Sequence, residues 1–202
     1  MRHPDRRNFG SGPTSRLFAA IFPPAEVIDE LSVFLAPRQV AGPELRWSTP
    51  EQWHLTLAFM PAVPPACRDD LAERLERAGR RRRPMELQLG HVGVFPNPYE
   101  ARVLFIAPIV DDQVHEELRR LATGARSAAA RAGAAPTGGR FRPHLTIARS
   151  TVPFEATRWM KVIGTWHSFE WIADEFELVE SRLGEGAGGR PEYTRVARFA
   201  IG

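Results

Sequence analysis

The chain of 202 residues has a single cysteine, Cys67. One thiol forms no internal disulfide and cannot build a thiolate metal site by itself. Apolar runs are short: Val103-Leu104-Phe105-Ile106-Ala107 is among the longest. It falls far below the ~20 residues that a bilayer span requires. No basic segment followed by an apolar one opens the chain, so no secretory leader is legible. No G-x-x-x-x-G-K-[ST] loop is present, which argues against ATP-driven chemistry. Lysine is nearly missing as well, with Lys161 alone against 26 arginines. These absences predict a cytoplasmic protein with no membrane association.

The residues present have globular composition, 43% hydrophobic and 25% charged, with a net charge of only +3. Arginine's planar fork of donors suits phosphate. In a chain also rich in Ala, Gly and Pro, however, the excess is explained first by codon usage. Residues 1–15 carry no apolar periodicity and are expected to be a flexible lead-in to a single domain over 16–202.

Periodicity predicts a buried strand over 16–22 and a helix entered at Pro24 and ended by Pro37. Short strands over 44–48 and 53–60 flank a turn at Thr49-Pro50-Glu51. An amphipathic helix over 66–83 precedes strands at 85–95 and 101–107, then a helix over 111–132. After a loop over 133–140 come a strand over 144–149 and a short helix over 153–162. Strands over 166–172, 174–182 and 193–200 close the chain, with a mobile hairpin tip at 184–189. The order of elements predicts an α+β fold with mixed or antiparallel sheets.

One internal repeat stands out. His54-Leu55-Thr56-Leu57-Ala58 recurs 90 residues later as His144-Leu145-Thr146-Ile147-Ala148. In a strand, residues two apart share a face, so each copy presents an imidazole beside a hydroxyl on a rigid element. A lone histidine in a strand is most often a hydrogen-bonded core residue. A near-identical repeat that keeps both His and Thr is not explained that way. It predicts a bilobal pseudo-twofold arrangement, each lobe a mostly antiparallel sheet flanked by helices, with both H-x-T strands facing a central groove. Two histidines titrating near neutrality can divide the work of general base and general acid. The threonine hydroxyls can donate to phosphate oxygens as charge develops there. That set suits in-line attack at phosphorus and needs no metal and no cofactor.

These residues resemble the two-histidine (2H) phosphoesterase superfamily, which is defined by tandem H-x-T-x motifs. Within it they are most similar to the RNA 2′,3′-cyclic phosphodiesterases, also called the 2′-5′ RNA ligase family. The likeness extends over roughly 16–200. It takes in Arg16-Leu17-Phe18-Ala19-Ala20-Ile21, Trp47 with Pro50, and Gly93-Val94-Phe95-Pro96 followed by Arg102-Val103-Leu104. It continues through Phe141-Arg142-Pro143 and Arg149 around the second motif, then Phe176-Glu177-Leu178-Val179-Glu180-Ser181-Arg182-Leu183 and the Tyr193 strand.

The resemblance implies hydrolysis of an RNA-terminal 2′,3′-cyclic phosphate to a 2′-phosphomonoester, with RNA 3′ ends or cyclic nucleotides as substrate and the protein a monomer. It implies His54 as proton donor to the departing 3′ oxygen, His144 as proton acceptor for water, and Thr56, Thr146 and Arg149 as phosphate ligands. Strict alternation puts Arg149 on the face opposite His144, so it would reach the groove from the strand's end. Family members often carry lysine where this chain has Ala58 and glycine where it has Pro61. Alternation places Ala58 beside His54 and Thr56, which leaves that side short of a cation; Arg46 is the candidate replacement. Phe18, Trp47, Phe95 and Phe141 are candidates to stack a terminal base. No role is assigned to His91, His115 or His167, and the arginine run 80–83 reads as a solvated helix end able to guide an RNA backbone. Reversible 2′-5′ RNA ligation and a non-catalytic RNA-end binding module are the alternatives.

Overall fold

The computed structural model describes residues 13–202. The lead-in expected over 1–15 therefore lies mostly outside the described residues, and Ser15 already belongs to the first strand. In chain order the elements are β1 (Ser15–Ile21), α1 (Ala25–Ala41), β2 (Arg46–Trp47), β3 (Leu55–Val63), α2 (Arg68–Gly79), β4 (Met85–Phe95), β5 (Ala101–Ile109) and α3 (Asp112–Arg131). They continue with β6 (Leu145–Phe154), α4 (Thr157–Ile163), β7 (Trp171–Ala173), β8 (Glu175–Gly186) and β9 (Arg190–Ala200).

The strands form two sheets, ordered β3-β1-β8-β9 and β2-β6-β5-β4-β7. Every named pairing is antiparallel, so the mixed-sheet option drops out. Each sheet places its H-x-T strand and three partners in the same order outward: β3-β1-β8-β9 matches β6-β5-β4-β7, with β2 added outside β6. This is the expected two-lobed α+β architecture. The lobes are not successive halves of the chain, however, because the last two strands return to complete the first sheet.

The main core lies between these sheets and the helices. It is built from alternate strand positions such as Leu17, Leu55, Met60, Leu104 and Leu145, and from helix positions such as Leu31, Leu71, Leu75 and Leu121. A separate small cluster of Phe18, Ala20 and Val179 lies on the other face of the first sheet, with Phe22, Phe59 and Tyr193 packed on it.

Several predicted boundaries move, for physical reasons. Pro37 does not end α1, which runs on to Ala41. Proline removes one N–H, the partner of the carbonyl four residues back, and residue 33 is on the solvent side, with Val33 76% exposed. Water can satisfy that carbonyl, and the apolar row Val27, Leu31, Leu35 holds the helix together. The 184–189 tip is in part strand: the β8–β9 ladder, irregular after Arg182, reaches Gly186 opposite Arg190, and a short 3-10 turn over Ala187–Gly189 closes it.

Candidate active site

The H-x-T segments sit where they do because each strand breaks its pleat at the same place. In β3, Leu57 and Ala58 are consecutive and both buried; in β6, Ile147 and Ala148 are. The ladders record the irregularity. Thr56 pairs Ala20 and Ala58 pairs Ala19, while Thr146 pairs Phe105 and Ala148 pairs Leu104. One extra residue on the bulged strand reverses the alternation beyond it. Two expectations from strict alternation therefore fail. Ala58 points into the core, 2% exposed, and Phe59 takes the groove-facing position. Arg149 lies on the face of Thr146, with Nη2 3.4 Å from Thr146 Oγ1.

Both strands line one groove of about 370 Å³ between the sheets. His54, Thr56, His144, Thr146, Arg149, Arg46 and Phe18 all border it. Its lining also includes Arg16, Gln52, Ser181, Arg190 and Tyr193, to which the sequence reading attached no role. Arg16 and Tyr193 were legible only as members of strands; nothing local marks them as groove residues.

The two imidazoles are oriented by the same device. His54 Nδ1 lies 2.8 Å from the Gln52 carbonyl, and His144 Nδ1 lies 2.7 Å from the Arg142 carbonyl, each two residues back. A carbonyl only accepts, so Nδ1 carries the proton in the neutral ring and Nε2 is left to the groove. Burial pushes the His54 imidazole down to about 4, with the charges of His144 and Arg149 adding to the effect and the Gln52 carbonyl opposing it. His144 is lowered for the same leading reason, with Arg149 adding and the Arg142 carbonyl opposing.

Aromatic rings fix both histidines. Phe18 stacks on His54 at 4.6 Å, and Tyr193 meets it edge-on at 5.6 Å. Phe18 is only 3% exposed, so it offers the groove an edge, and its face is taken by His54. Phe95 and Phe105 each lie 5.2 Å from His144. Gly93 makes room for this support: a Cβ there would fall 2.4 Å from the Phe105 ring. Phe95 thus backs a histidine, Trp47 is 7% exposed at the groove wall, and Phe141 is outside the groove lining.

Arg46 reaches the groove already committed. Its Nη2 donates to the Gly189 carbonyl, while Arg190 Nη2 donates to the Trp47 carbonyl at 3.2 Å. These crossed bonds tie the β8–β9 hairpin to β2 at one end of the groove. The remaining described histidines, His91, His115 and His167, are exposed and line no part of it. The 80–83 run lies elsewhere, with Arg81 and Arg82 at a cleft between α2 and α3. Among the described residues, no group of three or more His, Cys, Asp or Glu gathers to hold a metal. No described helix is long and apolar enough to cross a membrane.

The model of the 2′-5′ RNA ligase superfamily matches residues 23–185. An RNA 2′,3′-cyclic phosphodiesterase of Geobacillus stearothermophilus is 27% identical over 192 residues, covering 93% of this chain; the chain spans 57% of that relative's length. One from Aquifex aeolicus is 25% identical over 161 residues, 78% of this chain and 82% of the relative. Among solved structures, E. coli LigT complexed with 3′-AMP aligns with a TM-score of 0.67 and 28% identity over 94% of this chain and 99% of that one. A Thermus thermophilus protein aligns with a TM-score of 0.70 and 29% identity over 92% and 97%.

Proposed function

The chain belongs to the 2′-5′ RNA ligase superfamily, and from that premise we propose that it is a cyclic phosphodiesterase, opening RNA-terminal 2′,3′-cyclic phosphates to 2′-phosphomonoesters. The observation that carries the reading is the pair of groove-facing Nε2 atoms, each backed by a carbonyl on Nδ1 and flanked by a threonine on the same strand. The names of the curated relatives support the same reaction.

In this mechanism the cyclic phosphate lies between His54 and His144. His144 Nε2 takes a proton from water, whose oxygen attacks phosphorus in line with the bond to the 3′ oxygen. That bond breaks, and His54 Nε2–H delivers its proton to the departing 3′ oxygen. The 2′ ester remains. Thr56 and Thr146 donate hydrogen bonds to the non-bridging oxygens, and the Arg149 guanidinium offsets their charge. His54 must enter protonated. Burial holds it neutral in the free protein, and a phosphodiester anion beside it shifts the balance back toward the imidazolium.

The test is RNA ending in a 2′,3′-cyclic phosphate, incubated in excess EDTA and followed by phosphorus NMR. A 2′-phosphomonoester forms with the wild-type protein and not with His54→Ala or His144→Ala. A 3′-phosphate product would reverse the assignment of the leaving oxygen, and tight binding without turnover would replace hydrolysis by end binding.

A further inference from the structure

The groove is lined by four arginines, Arg16, Arg46, Arg149 and Arg190, and by no Asp or Glu. Two of the four are tied to backbone carbonyls, and a third is already assigned to the reacting phosphate. Arg46 and Arg190 hold the hairpin to β2. Arg149 stands at Thr146, and its charge depresses both histidines. Arg16 differs. Among the described residues it makes no ion pair and no hydrogen bond; its Nε, like that of Arg190, is buried without a partner. Its guanidinium lies over the Phe59 ring, 4.4 Å from the centroid. A ring holds a guanidinium by its face, so the in-plane N–H donors stay available. Phe59 is in position to do this only because the bulge at Leu57-Ala58 turns residue 59 toward the groove.

Arg16 is removed from the reacting phosphate's place. On β1 it precedes Phe18, which pairs Phe59, and lies four residues from Ala20, which pairs Thr56, while Arg149 is on β6 of the other sheet. The two cations therefore line one groove from different sheets, Arg149 beside Thr146 and Arg16 farther along the first sheet. A ligand that satisfies both carries two anionic groups.

We propose that Arg16, held by Phe59, is a second phosphate subsite that takes the 5′-phosphate of the terminal nucleotide, the group that joins it to the rest of an RNA strand. The inference rests on the cyclic-phosphate reading of the groove and narrows its substrate: ends bearing a 5′-phosphate are preferred to bare cyclic nucleosides. Free nucleotides and RNA ends share this chemistry, one as a monoester and the other as a diester.

The experiment compares adenosine 2′,3′-cyclic phosphate with its 5′-phosphorylated form and with the dinucleotide ending in the same cyclic phosphate. With the wild-type protein, the 5′-phosphorylated and dinucleotide substrates have kcat/KM at least tenfold higher, mainly through KM. The larger gain of the two tells monoester from diester as the natural occupant. In Arg16→Met, which keeps an apolar stem over Phe59, the ratio between substrates collapses toward one, and Arg16→Lys restores part of it. Melting curves confirm that both variants fold. A ratio that survives Arg16→Met, or a wild-type ratio near one, overturns the proposal.

Calorimetry with adenosine 2′,5′-bisphosphate against adenosine 2′-monophosphate reads the subsite without turnover. If no cyclic phosphate is hydrolysed but the bisphosphate binds tenfold tighter and Arg16→Met removes that advantage, the reaction assigned above fails and the subsite stands. Hydrolysis with no such advantage leaves the reaction standing and removes the subsite.

Discussion

The two H-x-T strands share a backbone and differ in what surrounds it. Both bulge at the same apolar pair, both tie a histidine to the carbonyl two residues back, and both set the threonine toward the groove. At the fifth place after each histidine the chemistry diverges. In β6 it is Arg149, beside Thr146; in β3 it is Phe59, which carries Arg16 from the neighbouring strand. His54 is enclosed by Phe18, Phe22 and Tyr193, while His144 has Phe95 and Phe105 and is depressed less. A duplicated scaffold thus gives two imidazoles of the same orientation and different acidity. The assigned donor, His54, is the more depressed of the two, so its protonation depends on the substrate phosphate beside it.

Removing either imidazole should have the largest effect on activity. General acid or base catalysis typically contributes 10²–10⁴-fold. His54→Ala and His144→Ala are each expected to lower kcat by about 10³-fold, and the double variant by much less than the product, because groups acting as a unit are not additive. Single-turnover kinetics on a cyclic-phosphate RNA measures this. If one variant retains near-normal kcat, the pairing of roles is wrong.

The shared bulge is tested by stability. If Ala58 faced the groove, Ala58→Lys would be tolerated. Because Ala58 packs among core residues, an ammonium there is expected to cost roughly 3 kcal/mol or more. Ala148→Lys should cost a similar amount, as Ala148 is fully buried at the equivalent place. Denaturant unfolding of the two variants checks both lobes together.

That bulge also marks the limit of what the sequence made legible. The alternation of polar and apolar residues found the strand at 85–95 to the residue, and the repeat located both histidines and threonines. Counting in twos then carried Ala58 and Arg149 to the wrong faces, since a regular pleat was assumed. The signal was present in both copies: after His-Leu-Thr, two apolar residues follow in succession, Leu57-Ala58 and Ile147-Ala148. A doubled apolar position in a half-buried strand is the imprint of an inserted residue. Arg16 was not legible as a groove residue, because its place depends on the pairing of β1 with β3 and β8 across long stretches of chain.

Arg149→Met should cost less than losing a histidine, about 10–100-fold in kcat/KM, the scale of a hydrogen-bonded contact between charged groups. It carries a second signature. The Arg149 charge lowers both imidazoles, so its removal should raise both titrations in the ligand-free protein, as read from ring-proton NMR shifts. A rise at His144 alone would place the guanidinium within one lobe instead of between the two.

The smallest effect separates the lobes most finely. A group whose folded value lies below its unfolded one leaves the unfolded chain binding more protons in the interval between them. His54 therefore contributes stability above its ordinary 6.5 that is lost progressively as the pH falls toward about 4. His144 is lowered less and acts over a narrower interval. Unfolding midpoints measured between pH 7 and pH 4 should fall on the acid side for the wild-type protein. His54→Asn should flatten that fall more than His144→Asn, since it removes the deeper of the two depressions. Equal flattening would mean that the two collars enclose their histidines alike.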